Sequence, residues 1–203
     1  MIPASHDGLL FRPPLRGERD YVHVADIVAA IDAAVGDWPN LALRLTAPAA
    51  CAIAIVAETE RVPTEQVCGR FQIESPHPSR YALVRHPNLP ADRRVVVDDA
   101  AMSAGARIRG RRIDAPPTSG FTFVERLTAL VVELLLDSDP EDYWRVAELV
   151  LTEHPRDDAA IGFEIVSCVA RRFWKGVAFA DGRAIGHVVL VLAPRPPGDD
   201  ASS

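Results

Sequence analysis

A histidine and an aspartate stand three residues apart at the start of the first apolar stretch of the chain. His23 and Asp26 lie in RGERDYVHVADIVAAIDAAV, and residues at this spacing share one face of a helix. A carboxylate beside an imidazole can hold the ring as a general base. The pair therefore predicts catalytic roles for His23 and Asp26. The alternative is a polar pair that only marks the start of a helix.

Glu125 occupies the corresponding position in a second apolar stretch, GFTFVERLTALVVELLL. We include it as a third candidate catalytic residue. Thr122 and Glu125 also have the spacing of a capping box, in which two side chains satisfy the first N–H groups of a helix. That structural role requires no catalytic chemistry.

A run of arginines separates the two stretches from one another. It contains Arg107, Arg109, Arg111 and Arg112. Alternate residues of a strand project to one side, so the run predicts a solvated strand face. The functional alternative is an anion site, formed by Arg107, Arg109 and Arg111, for a phosphate-bearing ligand such as coenzyme A.

Cys168 and His187 are predicted on neighbouring strands of a hairpin, where a Cys–His pair would indicate nucleophilic catalysis. A buried structural cysteine is the alternative. No cysteines and histidines have the spacing of zinc ligands, and the sequence contains no glycine-rich phosphate loop. The sequence therefore predicts no metal and no cofactor.

Two helices must position these side chains. Apolar residues at helical spacing predict the first helix over Tyr21–Val35, with Asp20 as its N-cap and a stop at Gly36. They predict the second over Gly120–Leu136, apolar on nearly all sides and therefore buried. This run is too short and too often interrupted by charge for a membrane span.

Strands are predicted after each helix. Apolar alternation or continuous apolar runs indicate strands at residues 9–11, 41–45, 67–74, 81–85, 94–98, 143–153 and 185–193. The last of these strands is predicted in the centre of a sheet. Residues 50–57 fit a strand or a short helix, and residues 100–113 are ambiguous. Residues 161–175 are predicted as one long, bulged strand, residues 88–94 as a loop, and Asp181-Gly182 as a tight turn.

Composition limits the function classes and the partners. The 203 residues carry a net charge of −6, which argues against nucleic acid as a partner. Three cysteines in apolar settings suggest free, buried thiols in a reducing compartment. The N-terminus lacks the features of a signal peptide, so we expect a cytoplasmic protein without a membrane partner. The sequence leaves open whether the chain forms a homodimer.

The two helices resemble one another. Aligning Tyr21 with Phe121 places Val24 on Val124 and Ile27 on Leu127, and strand signals follow both helices. This repeat predicts an N-terminal half at residues 1–90, a C-terminal half at residues 91–194 and a disordered tail at residues 195–203.

A helix followed by long antiparallel strands resembles the hotdog fold, and two copies resemble a double hotdog. FWKGVAFADGRAIGHVVLVL, residues 173–192, resembles the last hairpin of that fold. The resemblance implies an α+β protein of two hotdog-like halves, each a long helix packed on a curved antiparallel sheet. It also implies a thioesterase- or dehydratase-type protein that acts on or binds acyl thioesters of coenzyme A or acyl carrier protein. The alternative is a non-catalytic module for small-ligand binding, structure or oligomerisation, so whether the chain is an enzyme stays open.

Overall fold

The computed structural model describes residues 9–193, apart from residues 18, 20, 37, 60, 75–78 and 139–142. The predicted tail therefore lies outside the described residues. The chain divides into two compact units, the first comprising Met1–Asp98 and Glu148–Pro155 and the second comprising Asp99–Ala147 and Arg156–Ser203. The first unit thus extends beyond the predicted boundary at residue 90 and includes a later segment. The fold class is α+β, with one long helix and mostly antiparallel strands.

The first unit contains one helix and an antiparallel sheet. Its elements are β1 (Leu9–Phe11), β2 (Leu15–Arg16), α1 (Val24–Val35), β3 (Asn40–Leu45), β4 (Cys51–Ala57), a 3₁₀ turn (Thr64–Gln66), β5 (Val67–Glu74), β6 (Ser79–Pro90) and β7 (Arg94–Val95). Strands β1, β4, β6, β5 and β3 lie side by side in that order. Strands β2 and β7 form a short parallel pair.

Side-chain alternation explains these elements. In β3, Leu41 and Leu43 are buried while Arg44 faces solvent, which confirms the predicted half-buried strand. Residues 52–56 of β4 are buried on both faces, and for this reason the apolar pattern alone did not distinguish strand from helix. Helix α1 ends at Gly36, whose φ of 75° suits glycine.

The second unit contains the long helix. Its elements are α2 (Asp99–Met102), β8 (Arg107–Arg109), β9 (Arg112–Ala115), α3 (Phe123–Ser138), β10 (Trp144–Leu151), β11 (Ile161–Val169), β12 (Phe173–Ala180) and β13 (Arg183–Leu192). The strand order is β10, β13, β12, β11, β9 and β8. The last four residues of β10 belong to the first unit, where they pair with β3.

Helix α3 forms much of the core of the second unit. It contacts β9, β11 and α2, and its leucines Leu127, Leu130 and Leu134 are at most 1% exposed. The prediction of a helix buried on most sides is therefore confirmed. Among the described residues, no helix combines the length and the apolar character that a membrane span requires.

The turn between β12 and β13 is also confirmed. Asp181 and Gly182 have φ angles of 49° and 78°, the left-handed conformations that a tight hairpin of this type requires. They join the paired residues Ala180 and Arg183. Strand β13 is flanked by strands on both sides, as its continuous apolar sequence predicted.

The predicted single strand over residues 161–175 is wrong. The chain reverses between Val169 and Phe173, and β11 and β12 pair as a hairpin. The turn contains Ala170 and Arg171 at φ angles of 50° and 51°. Neither residue is among the usual turn formers glycine, asparagine and aspartate, so the local sequence carries no turn signal. The predicted bulge is present, between Ile165 and Ser167.

Several predicted boundaries are also corrected. Helix α1 begins at Val24 rather than Tyr21, and its N-cap is His23; the predicted cap, Asp20, lies outside the described residues. Strand β6 extends into the predicted loop as far as Pro90, residues 91–93 carry no strand, and β7 ends at Val95. Pairing with β4 extends β6. Strand β7 is short because only two of its residues pair with β2.

Candidate functional site

His23 is fixed at the first turn of α1 by the helix itself. Its Nδ1 accepts a hydrogen bond from the backbone N–H of Ala25 at 3.4 Å. Its carbonyl oxygen accepts from the N–H groups of Asp26 and Ile27 at 3.1 and 3.3 Å. The imidazole is half-buried. This candidate residue therefore lies at the positive end of the helix dipole.

The imidazole of His23 is neutral over the physiological pH range. Burial, and then the positive charges of Arg19 and Arg16, lower the pKa of His23 from 6.5 to about 3. Since Nδ1 accepts a hydrogen bond, the single ring proton is on Nε2. A neutral imidazole in this tautomer donates a hydrogen bond from Nε2 and can polarise a carbonyl group. It is poorly suited to accept a proton at neutral pH.

Asp26 binds Arg16 in place of the predicted partner His23. The Nε of Arg16 donates to the two carboxylate oxygens at 2.9 and 2.8 Å, and Nη2 donates to Oδ1 at 2.6 Å. The two side chains are only 14% and 9% exposed. Arg16 lies in β2, which pairs with β7, so this contact depends on tertiary structure that helix spacing does not reveal.

At the start of α3 the predicted capping box is confirmed. The N–H and the hydroxyl of Thr122 donate to Glu125 Oε2 at 2.8 and 3.0 Å, and the N–H of Glu125 donates to Thr122 Oγ1 at 3.2 Å. The Oδ1 of Asp157 accepts from the N–H of Phe123 at 2.7 Å. These contacts give Glu125 a structural role, and its catalytic role stays a prediction.

Arg126 is a buried cation of α3, within the stretch that was predicted to be apolar on nearly all sides. Its side chain is fully buried. Nη1 donates to the carbonyl oxygens of Asp157 and Ala159 at 3.0 and 2.9 Å, and Nη2 donates to that of Pro116. Burial lowers the pKa of Arg126. The guanidinium thus ties α3 to two segments of the second unit.

The predicted anion-binding arginines lie at the edge of the second unit. Arg107 and Arg109 are exposed on β8, and Arg111 is exposed in the turn that follows. Arg112 differs from them because it forms ion pairs with Asp114 and Glu164 at 2.8 and 3.4 Å. A solvated strand face is present on β8, and binding of coenzyme A by the three exposed arginines stays a prediction.

The predicted Cys–His pair is not formed. Cys168 is on β11, opposite Trp174 of β12, and His187 is on β13, opposite Val177 of β12. Strand β12 therefore separates the two residues, because residues 161–175 form two strands. Cys168 is exposed, contrary to the alternative of a buried structural cysteine. Among the described residues, no group of His, Cys, Asp and Glu is arranged to hold a metal ion.

The depressed pKa of His23 predicts a pH-dependent stability. The unfolded chain binds a proton between pH 6.5 and about 3 that the folded chain does not bind. The contribution of neutral His23 to the free energy of unfolding is therefore complete above the unfolded pKa, and it is lost as the pH falls through this window. We expect acidification to reduce the free energy of unfolding more in the wild type than in His23→Ser. Urea titrations of both proteins at several pH values test this. Because the carboxylates are common to both proteins, the difference between their free energies of unfolding reports on His23. A difference independent of pH would contradict it.

No family model and no curated protein sequence matches this chain. The structure is similar to the dehydratase domain of RzxB from Pseudomonas fluorescens, with 16% identity, coverage of 94% of this chain and 96% of that chain, and a TM-score of 0.45. It is similar to a protein of unknown function with a hot dog fold from Alicyclobacillus acidocaldarius, with 8% identity, coverage of 87% and 89%, and a TM-score of 0.46.

A third similar structure is the 12:0-ACP thioesterase from Umbellularia californica, with 9% identity, coverage of 96% of both chains and a TM-score of 0.44. These are the kinds of protein that the sequence pattern resembles. With identities of at most 16% and TM-scores of at most 0.46, the three matches assign no activity to this chain.

Proposed function

We propose that this chain is a hotdog-like protein that binds or acts on acyl thioesters of coenzyme A or acyl carrier protein, with its site at the start of α1. The observation that supports this function best is the neutral imidazole of His23, held at the N-terminus of α1 with its proton on Nε2. The two units would be the hotdog-like halves, since each contains a helix and antiparallel strands.

The chemistry of a thioester explains why this arrangement suits it. Negative charge develops on the carbonyl oxygen when the thioester is attacked or enolised, and preorganised donors stabilise that charge. His23 Nε2–H is such a donor, and the helix dipole adds positive potential at the same place. Arg16 and Arg19 add two positive charges near the ring, of which Asp26 balances one. We assign His23 the role of donor and Asp26 that of a positioning residue for Arg16.

The remaining predicted site residues have narrower roles in this proposal. Arg107, Arg109 and Arg111, which lie in the second unit, form by themselves the proposed anion site for a phosphate-bearing ligand such as coenzyme A, since guanidinium groups bind phosphate through paired hydrogen bonds. Glu125 would hold the start of α3 through the capping box, and we assign it no part in the chemistry.

A second function, thioester binding without turnover, is favoured by a specific observation. Asp26 is paired with Arg16, and the pKa of His23 lies near 3. Neither residue is therefore a general base at neutral pH. A protein with this site could hold an acyl thioester through its carbonyl oxygen and leave the bond intact.

Assays of turnover and binding on acyl thioesters of graded chain length test the proposal. His23→Ser keeps an N-cap side chain but removes the Nε2–H donor. We expect it to lower kcat/KM at least about tenfold, since loss of one oxyanion donor costs about a hundredfold or more. If the wild type binds thioesters without turnover, we expect the affinity to fall by the same factor. Circular dichroism and urea titration should show that folding is retained.

Glu125→Gln is the matched control at the other helix, because glutamine also completes a capping box; we expect its activity to be unchanged. Each chain length is tested as a coenzyme A thioester and as a thioester without the coenzyme A phosphates. A preference for the first supports the role of the arginines. The proposed function would be overturned if no thioester were bound or turned over. It would also be overturned if His23→Ser kept full activity.

A further inference from the structure

The turn end of the β11–β12 hairpin is exposed on both faces. We define the hairpin tip as residues 166–175. All residues from 166 to 173 are exposed, although successive residues of a strand point to opposite faces. Three of them are large and apolar: Val166, Val169 and Phe173 are 51%, 60% and 51% exposed. The tip is therefore open to solvent on both faces, although β13 lies beside its β12 strand.

The same tip is locally basic. It contains Arg171, Arg172 and Lys175 and no acidic residue, in a chain whose net charge is −6. All three side chains are exposed, and within the described ranges none of them forms an ion pair. Apolar and cationic groups thus lie side by side on one exposed element.

Contrary to the expectation of no membrane partner, we propose that the hairpin tip docks on the surface of an anionic lipid bilayer. Val169 and Phe173 insert among the upper acyl chains, while the cations remain among the headgroups. Burial of apolar area and attraction to anionic lipids are the two contributions that bind peripheral proteins to membranes.

The geometry favours a bilayer over a protein partner. Two copies that met tip to tip would bring Arg171, Arg172 and Lys175 of each copy together, and like charges repel. A rigid protein surface would cover one face of the ribbon, whereas fluid lipid can surround both. Exposed apolar groups of this kind mark interaction sites in soluble proteins. The proposal is independent of the thioester site, because it uses only residues of the tip.

Co-sedimentation of the full chain with vesicles tests the proposal. We expect binding to phosphatidylcholine vesicles that contain phosphatidylglycerol and weaker binding to pure phosphatidylcholine. Val169→Ser with Phe173→Ser, and separately Arg171→Gln with Arg172→Gln, should each reduce the vesicle partition coefficient at least about tenfold. The variants should retain the unfolding temperature of the wild type, because the changed side chains are exposed.

Arg93→Gln with Val96→Ser is the matched control. It also removes an exposed cation and an exposed apolar residue, since Val96 is 98% exposed and Arg93 faces solvent. We expect this variant to bind like the wild type. Absence of wild-type binding, or equal binding by the tip variants, would overturn the proposal. So would a dimer in sedimentation velocity that the tip variants convert to monomers, because the tip would then bind a second copy.

Cys168 provides an independent measurement within the tip. It is exposed, whereas Cys51 is half-buried and Cys68 is buried, with burial raising the pKa of the Cys68 thiol to about 11. A polarity-sensitive fluorophore should therefore label Cys168 selectively. We expect its emission to shift to the blue on anionic vesicles. An unchanged emission in protein that sediments with the vesicles would place the membrane contact elsewhere and overturn the proposal.

Discussion

Replacement of Arg126 by alanine is expected to lower the free energy of unfolding by at least about 3 kcal/mol. The guanidinium donates to the carbonyl oxygens of Pro116, Asp157 and Ala159. Without it, these acceptors lose their donor. The bond to Ala159 is buried, and a buried acceptor without a partner costs about 1–3 kcal/mol. Relief from burying a charge offsets part of this loss. Urea titration monitored by circular dichroism measures the change.

Two further variants separate the hydrogen bonds of Arg126 from its volume and its charge. Arg126→Met fills much of the same space without donors and should remain strongly destabilised. Arg126→Lys keeps the charge, but a single ammonium group does not reproduce the planar fork that reaches three carbonyls. The exposed Arg61 supplies a control, because Arg61→Ala should change stability by less than about 0.5 kcal/mol. Wild-type stability in Arg126→Met would refute the assigned role.

Truncation of the leucine stripe of α3 is expected to have a similar effect. Leu127→Ala or Leu134→Ala should each cost about 2–5 kcal/mol, through lost burial and the cavity left behind. Their side chains are 1% and 0% exposed. Leu136, at 53% exposed on the same helix, gives the matched control. Leu136→Ala should be nearly neutral, because alanine also favours the helix.

Chemical denaturation of the three leucine variants measures these effects under one condition. The comparison holds helix length and substitution constant and varies only burial. A change below about 1 kcal/mol in both Leu127→Ala and Leu134→Ala would show that this stripe does not form the core.

Much of the fold follows from local pattern. Helical spacing of apolar residues located α1 and α3, the alternation of β3 identified a half-buried strand, and Asp181-Gly182 identified a hairpin turn. Each of these signals arises within a few residues, because helix and strand periodicities and turn conformations are local properties. The capping box of Thr122 and Glu125 was predictable for the same reason.

The turn at Ala170 and Arg171 was not predictable, because no residue there favours positive φ by itself. Pairing of β11 with β12 along their length holds the turn in place, and that pairing is a property of the sheet. The error concealed the hairpin tip, and it also led to the prediction that Cys168 and His187 are neighbours. Without that turn, the sequence pattern places the cations and apolar residues of the tip within one long strand.

The sequence by itself placed His23, Asp26 and Glu125 at helix starts, since helix beginnings have local signatures. Only the tertiary structure decided what these residues contact. Arg16 takes the carboxylate of Asp26, and burial near two arginines keeps His23 neutral. Arg126 finds carbonyl partners up to 33 residues away. The protonation and hydrogen bonds of a side chain depend on its surroundings in three dimensions, and residues distant in sequence supply those surroundings.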